Sequence, residues 1–470
     1  MSASPKVWRN RSPGDLSIEL SEVQATPVEP AIAAAKKAFP SWSRLSLRER
    51  EMFLRTAQSK IAADKDALAA GIALETGKPL REAIGEVGAV IAKFDLTIAD
   101  ATKFLAVEQP TDNPHPAWIR RLSRGPAAVV GPFNFPIHLA HGAIVAHLIV
   151  GNTVIFKPSP LAANVCARYA ALMAESLPPG VFNLVQGGGD EGRAVCVHPD
   201  VRAVCFTGSV PVGKMLAKEL AGDLGKDVAL ELGGKNAAIV LADADLQLAA
   251  TAAADGACLT AGQRCNATNW VIAESSVFEP FLQLFTTSLA RYVPGDPRDP
   301  NTLLGPLVSA PAMDRYARLI TESSVEWVVP GKAHGSAMGL KGHYVTPAVA
   351  LVRDPSATIP LMTEEAFAPI VVVMEARDAD HAALIANSTR YGLTTSVFTQ
   401  SNERFWHIAD RLEVGNVYAN LPTTFSPSTL PFGGLRDSGN GRPGGRGFVR
   451  FTTQEQAVQI AKDTLSTKNI

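Results

Sequence analysis

Between positions 28 and 107 apolar residues recur at helical spacing, and the punctuation agrees. Ser46 followed by Glu49 is a capping box, and Gly77 with Pro79 stops one helix before the next begins. From Ala127 the pattern changes to short β-branched runs separated by alanine-rich helical stretches: AAVV at 127, TVIF at 153, FNLV at 182, VRAVCF at 201, then VALEL and AAIVL. That alternation predicts parallel βαβ units. A second series starts after Asp243, with TNWVIAE at 268, IVVVME at 370 and TTSVFT at 394. The chain is thus expected to fold as an opening helical layer and two α/β domains. The stretch 415–447, dense in Gly, Pro, Ser and Thr and flanked by strand-like VYAN and FVRF, reads as an ordered functional loop.

Composition narrows the function. At about 150 residues per domain, 470 residues bury ample core without disulfides or metal staples. The 44 basic and 45 acidic side chains leave a net charge of −1, which argues against nucleic-acid or anionic-membrane partners. Five cysteines, an odd number without a CxxC pair, fit thiols in a reducing compartment. Lys6, Arg9 and Arg11 are followed by no apolar signal-peptide core, and the longest apolar stretch, Gly142 to Phe156, is broken by His147 and Asn152. It is too short to span a bilayer, so a cytoplasmic protein is expected.

Several motifs carry chemistry. GGGDEG, 187–192, satisfies GxGxxG, but no carboxylate follows at the distance a ribose partner requires. Thr207, Gly208 and Ser209 lead into Gly213-Lys214, close to a P-loop, except that Met215 replaces the magnesium-binding hydroxyl. The preferred reading is a diphosphate-binding turn at a helix N-terminus; the alternative is a turn used only for close packing. Cys265, in TAGQRC, lies in a loop, whereas Cys166, Cys196, Cys205 and Cys258 sit in apolar runs as inert thiols. Cys265 is a candidate nucleophile, which needs an oxyanion donor and a base. Asn134 in GPFNFP and Glu231 in LELGG are candidates for those roles; the alternatives are an amide bonding its own turn and a structural ion pair. His138 and His141 share a helical spacing without further ligands, so no metal is expected.

Taken in order, GPFNFP, GNTVIFKPS, LPPGVFNLVQG, FTGSVPVG, LELGGKNAAIVLADADL, GQRC, EEAFAP, YGLTTSVFT and PFGGLRDSG resemble the aldehyde dehydrogenase superfamily. Within it, GPFNFP, TAGQRC and PFGGLRDSGNGRP are most similar to the N-succinylglutamate semialdehyde dehydrogenases of arginine catabolism. The resemblance implies a Rossmann-like NAD(P) domain (1–105 and 126–233), a catalytic α/β domain (234–449) and a small oligomerisation arm (106–125 and 450–470) of a homodimer or homotetramer. It implies Cys265 as nucleophile, Asn134 with the Cys265 backbone N–H as the oxyanion site, and Glu231 as the base for water. Lys157 and Glu365 would bond the two riboses and Ser209 the diphosphate, with Phe367 beside the nicotinamide ribose. Phe133, Ser159, Gly208 and Gly213 complete the expected NAD or NADP site.

The sequence also departs from its relatives. Pro160 stands where many carry a Glu that repels an NADP phosphate, Ala143 where many carry a Lys, and Ala368 where the usual residue is Gly. A small aldehyde, with a carboxylate at its far end, is the expected substrate, and Arg121, Arg264 and Arg442 are candidate cations for that carboxylate. A CoA-acylating relative and a catalytically silent scaffold are the rival readings; Glu231 argues against the first, and the trio together against the second.

Overall fold

The opening helices form because their apolar stripes have a sheet to cover. The computed structural model describes residues 6–333 and 339–462; positions 1–5 of the expected cofactor domain and 463–470 of the expected arm lie outside them. Helices Val28–Arg44, Leu47–Ala63, Lys65–Thr76 and Leu80–Phe104 make the expected helical layer. Ser46 and Glu49 close their capping box, and Gly77 ends the third helix in the left-handed region at φ 73°.

The first sheet has six strands in the spatial order 439–440, 227–231, 203–207, 126–130, 153–157, 182–184, parallel except at the short edge Gly439–Asn440. Its central strands 126–130, 153–157 and 203–207 are buried on both faces, and their side chains alternate between two cores. Val129, Val154, Phe156 and Cys205 face the helical layer, whereas Ala128, Val130, Ile155, Val204 and Phe206 face helices Gly189–Val197 and Val210–Leu220. That period of two inside an apolar run is why these segments read as strands.

The second sheet has seven strands ordered 326–329, 348–351, 370–376, 268–274, 236–240, 394–398, 416–419, parallel except for the edge strand Glu326–Val329. Its core is the largest in the molecule among the described residues. A separate antiparallel pair joins Ala117–Ser123 to Thr453–Gln459 along their full length. Among the described residues, no helix is long and apolar enough to cross a membrane.

The FVRF segment departs from expectation. It is a 3-10 turn, Phe448–Arg450, rather than a strand, because Gly447 turns the chain at φ 87° and Phe448 stacks on Phe451 with centroids 5.2 Å apart. Its aromatic content, which suggested a strand, serves this local stack.

In the first sheet the order reverses between strands 126–130 and 203–207, and the crevice beyond the carboxyl ends of strands at such a point is where open α/β sheets bind ligands. Asn134, Lys157, Ser209 and Glu231 all stand at or just past those carboxyl ends.

Candidate active site

Cys265 follows a backbone that few sequences adopt. Thr260, Ala261 and Gly262 are successively left-handed, with φ of 55°, 53° and 69°, and non-glycine residues there cost about 1–2 kcal/mol each. The surroundings hold this turn. Glu82 accepts from the Thr260 backbone N–H (3.2 Å) and hydroxyl (2.8 Å), and Arg264 bridges Thr260 Oγ1 (3.0 Å) and Glu82 (2.8 Å). Gln263 donates to the Thr260 carbonyl and accepts from Val308 N–H, while Asn236 Nδ2 donates to the Cys265 carbonyl at 2.8 Å. A Cβ at Gly262 would stand 2.4 Å from the Ala368 carbonyl carbon, so this turn admits no side chain.

Cys265 is the one cysteine of the five that is not buried. Glu231, the last residue of its strand, is buried, and among the described residues neither carboxylate oxygen completes a hydrogen bond. Burial raises its pKa to about 7, against a smaller opposing pull from the Cys265 thiol. The thiol itself is pushed well up, first by burial and then by Glu231, whereas the Asn266 backbone N–H favours its thiolate. Glu231 thus disfavours the thiolate, whereas the protonated thiol favours the carboxylate. Asn134 commits one amide hydrogen to the Gln263 carbonyl at 2.8 Å, which fixes the amide beside the cysteine turn and leaves the second hydrogen. The Cys265 backbone N–H makes no hydrogen bond among the described residues.

Asn134, Glu231 and Cys265 line one cleft together with Phe133, Lys157, Ser159, Gly208, Ser209, Glu365 and Phe367. Gly213 is the expected cofactor residue outside that lining. It lies under the helix it opens, where a Cβ would stand 2.6 Å from Leu232, so its smallness serves helix-on-strand packing. Lys157 is buried with its pKa lowered to about 8 by burial, and among the described residues no carboxylate lies within ion-pair distance. Ser209 begins helix Val210–Leu220 without spending its side chain on a cap. Glu365 accepts from the Gly234 N–H at 3.0 Å, and burial raises its pKa to about 7. Phe133 and Phe367 meet edge to face with centroids 5.9 Å apart. Phe367 carries the left-handed φ of 50°, so the Ala368 that replaces a usual Gly stands at a position needing no glycine freedom.

The cleft also holds residues the sequence reading passed over. Gly188 and Gly189, from the GGGDEG motif set aside for want of its acidic partner, line it, as do Leu139 and Arg315. A motif scored against the wrong fold's spacing hid the first two; Arg315, on an exposed helix, gave no signal at all. His141 bonds Tyr169 at 2.8 Å, and no group of metal-ligating side chains occurs among the described residues.

The sequence matches the Aldehyde dehydrogenase family over residues 5–458. The chain belongs to the aldehyde dehydrogenase family. It is 35% identical over 452 residues to an N-succinylglutamate 5-semialdehyde dehydrogenase of Escherichia coli (strain SE11), covering 93% of this chain and 89% of that one. Among solved structures it superposes on an NAD-dependent aldehyde dehydrogenase from Sinorhizobium meliloti with a TM-score of 0.93 at 29% identity, covering 99% of this chain and 93% of that one. An indole-3-acetaldehyde dehydrogenase from P. syringae, solved with NAD+ and IAA, gives 0.92 at 30% identity, covering 97% and 93%. This chain is accordingly an NAD(P)-dependent aldehyde dehydrogenase.

The family's loop around Asn134 is anchored by a buried ion pair. Glu86 bonds Lys78 at 2.5 Å and accepts from the backbone N–H groups of Ile137 and His138. Both side chains are fully buried, and the Lys78 ammonium lies 3.6 Å over the Phe135 ring. Glu86→Gln strands a buried cation and is expected to lower stability by about 3–5 kcal/mol. Urea unfolding checks this; a loss under about 1 kcal/mol would mean the pair is dispensable.

Proposed function

We propose that this enzyme oxidises an aldehyde bearing a distal carboxylate, such as N-succinylglutamate 5-semialdehyde, to the corresponding acid by covalent catalysis on Cys265. The observation that carries the reading is the meeting of an accessible thiol, an unbonded buried carboxylate and an anchored amide at the base of one cleft. The curated relatives supply the substrate name.

The residues fit the expected cofactor. The cleft offers glycine backbone at 188, 189, 208 and 233, an uncommitted serine at a helix N-terminus, and a buried lysine with no ion pair among the described residues. Ser209 and Gly208 would hold the diphosphate, Lys157 and Ser159 the adenosine ribose and Glu365 the nicotinamide ribose, with Phe133 and Phe367 packing beside it. The cofactor, when bound, supplies the acceptor for the hydride that leaves the substrate carbon.

The protein performs the remaining work. The Cys265 sulfur bonds to the carbonyl carbon and its proton passes to Glu231, whose pKa of about 7 suits that exchange. The carbonyl electron pair moves onto oxygen, where the free Asn134 hydrogen and the Cys265 backbone N–H stabilise the charge. Loss of the carbon-bound hydrogen with its electron pair re-forms the carbonyl as a thioester. Glu231, having released its first proton to solvent, then takes one from water as the hydroxide attacks; the carbon–sulfur bond breaks, and thiolate leaves.

A panel of aldehydes run with NAD and with NADP tests the substrate. N-succinylglutamate 5-semialdehyde is expected to exceed neutral aldehydes of similar size at least about tenfold in kcat/KM, the minimum for one charge-assisted contact. Equal or better use of the neutral aldehydes would refute the distal carboxylate.

A further inference from the structure

None of the three arginines suggested by sequence is a free cation at the pocket. Arg121 is paired with Glu108 and Glu455 in the strand pair of the arm, and Arg442 donates to the Gly415 carbonyl at 2.9 Å. Arg264 reaches the pocket wall but is committed to Glu82 and Thr260.

A second pocket opens from Cys265 and Glu231, lined by Phe135, His138, Leu139, Gly142, Ser428 and Lys93, among others. Lys93 lies on the buried face of helix Leu80–Phe104 with Val90, Phe94 and Thr97 and is 6% exposed. Its ammonium makes one hydrogen bond, to Ser428 Oγ at 2.8 Å, and among the described residues it has no ion pair. Nearby acids are engaged elsewhere: Asp95 with Arg55 and Gln58, and Asp100 with the Gly447 N–H at 2.7 Å and Arg446 at 3.8 Å. A buried ammonium without a counterion is costly, and a ligand anion removes that cost.

The other buried lysines make the contrast. Lys78 has Glu86, Lys226 has Asp223, Lys235 has Glu364 and Glu365, and Lys157 feels Glu191. For Lys93 burial acts alone, lowering its pKa to about 8 with no acid opposing. His138 is held neutral, its pKa lowered to about 3 by burial and then by Lys93, Lys78 and Arg264. Its Nε2 is buried with no hydrogen-bond partner, a second polar atom left open on the same wall. Gly142, on the facing helix, makes room: a Cβ there would touch Lys93 Cε at 3.4 Å.

Resting on the carboxylate reading above, we propose that Lys93 anchors the distal carboxylate of the substrate. Ser428 accepts from the ammonium and keeps its own O–H to donate to the same carboxylate. The aldehyde end then lies at Cys265, on the wall the two groups share. The matching substrates are ω-semialdehydes whose acid group is several bonds from the carbonyl.

Kinetics with glutarate semialdehyde and with pentanal, of equal chain length, test this. Lys93→Met is expected to raise KM for glutarate semialdehyde about 10- to 100-fold, the worth of a hydrogen bond to a charged group, with kcat little changed and pentanal unaffected. Lys93→Arg, which keeps the charge, should restore most of the loss. Calorimetric titration with glutarate should show binding to the wild-type enzyme that Lys93→Met abolishes. Equal losses on both aldehydes without rescue by Lys93→Arg would mark a structural role and overturn the proposal. A wild-type preference for glutarate semialdehyde that persists in Lys93→Met would overturn the anchor alone. No wild-type preference would overturn the carboxylate reading, and the anchor with it.

Discussion

Cys265→Ala is expected to abolish aldehyde oxidation, with kcat falling at least about 10^4-fold, because no other thiol can substitute. Cys166, Cys196, Cys205 and Cys258 are all buried, whereas Cys265 is half-buried and lines the cleft. The loss should be confined to chemistry. Among the described residues the turn is fixed by Glu82, Gln263 and Asn236 rather than by the Cys265 side chain. The variant should therefore fold, show an unchanged unfolding midpoint and still bind NAD in a fluorescence titration. Steady turnover above about 1% of wild type would exclude covalent catalysis on this residue.

Glu231→Gln gives the second large effect, of a different kind. Removal of a general base costs about 10^2- to 10^4-fold; thiol attack, which also uses Glu231, should slow, and release of the acyl group should limit turnover. A rapid-mixing trace should show one NAD(P)H per active site followed by near-arrest, and intact-protein mass should carry the acyl adduct on Cys265. The pH dependence follows from the raised pKa. Below about 7 Glu231 holds a proton and cannot take one from water; above it the carboxylate is free, so the wild-type rate of thioester hydrolysis should rise through pH 7 and then level. The variant should lose that rise. A burst-free variant with the wild-type pH profile would remove Glu231 from the mechanism.

The reach of sequence reasoning differs sharply between Cys265 and Lys93. Cys265 stands out because its neighbours Gln263 and Arg264 are polar where the other cysteines sit in apolar runs, and because its surrounding motifs are local in the chain. Glu231 was legible for the same reason, as a carboxylate interrupting an apolar strand. Lys93 carries no such mark. A lysine in a 25-residue amphipathic helix reads as part of its solvated face, and only packing against helix His138–Ile149 and the loop at Ser428 shows that it points inward. The arginines failed for the opposite reason: the partners of Arg121 and Arg264, Glu108, Glu455 and Glu82, and the Gly415 carbonyl that takes Arg442, are not adjacent in sequence, so each looked free. Both sheets were visible in the strand runs, but their spatial order came only with pairings such as Leu230 to Asn440.

The contact between Gly262 and Ala368 couples two parts of the site that the chain keeps far apart. With so little room there, the segment carrying Glu365 and Phe367 cannot advance without pushing the sulfur-bearing turn ahead of it. Any redesign of that side of the crevice that brings the segment inward must re-register the thiol at the same time.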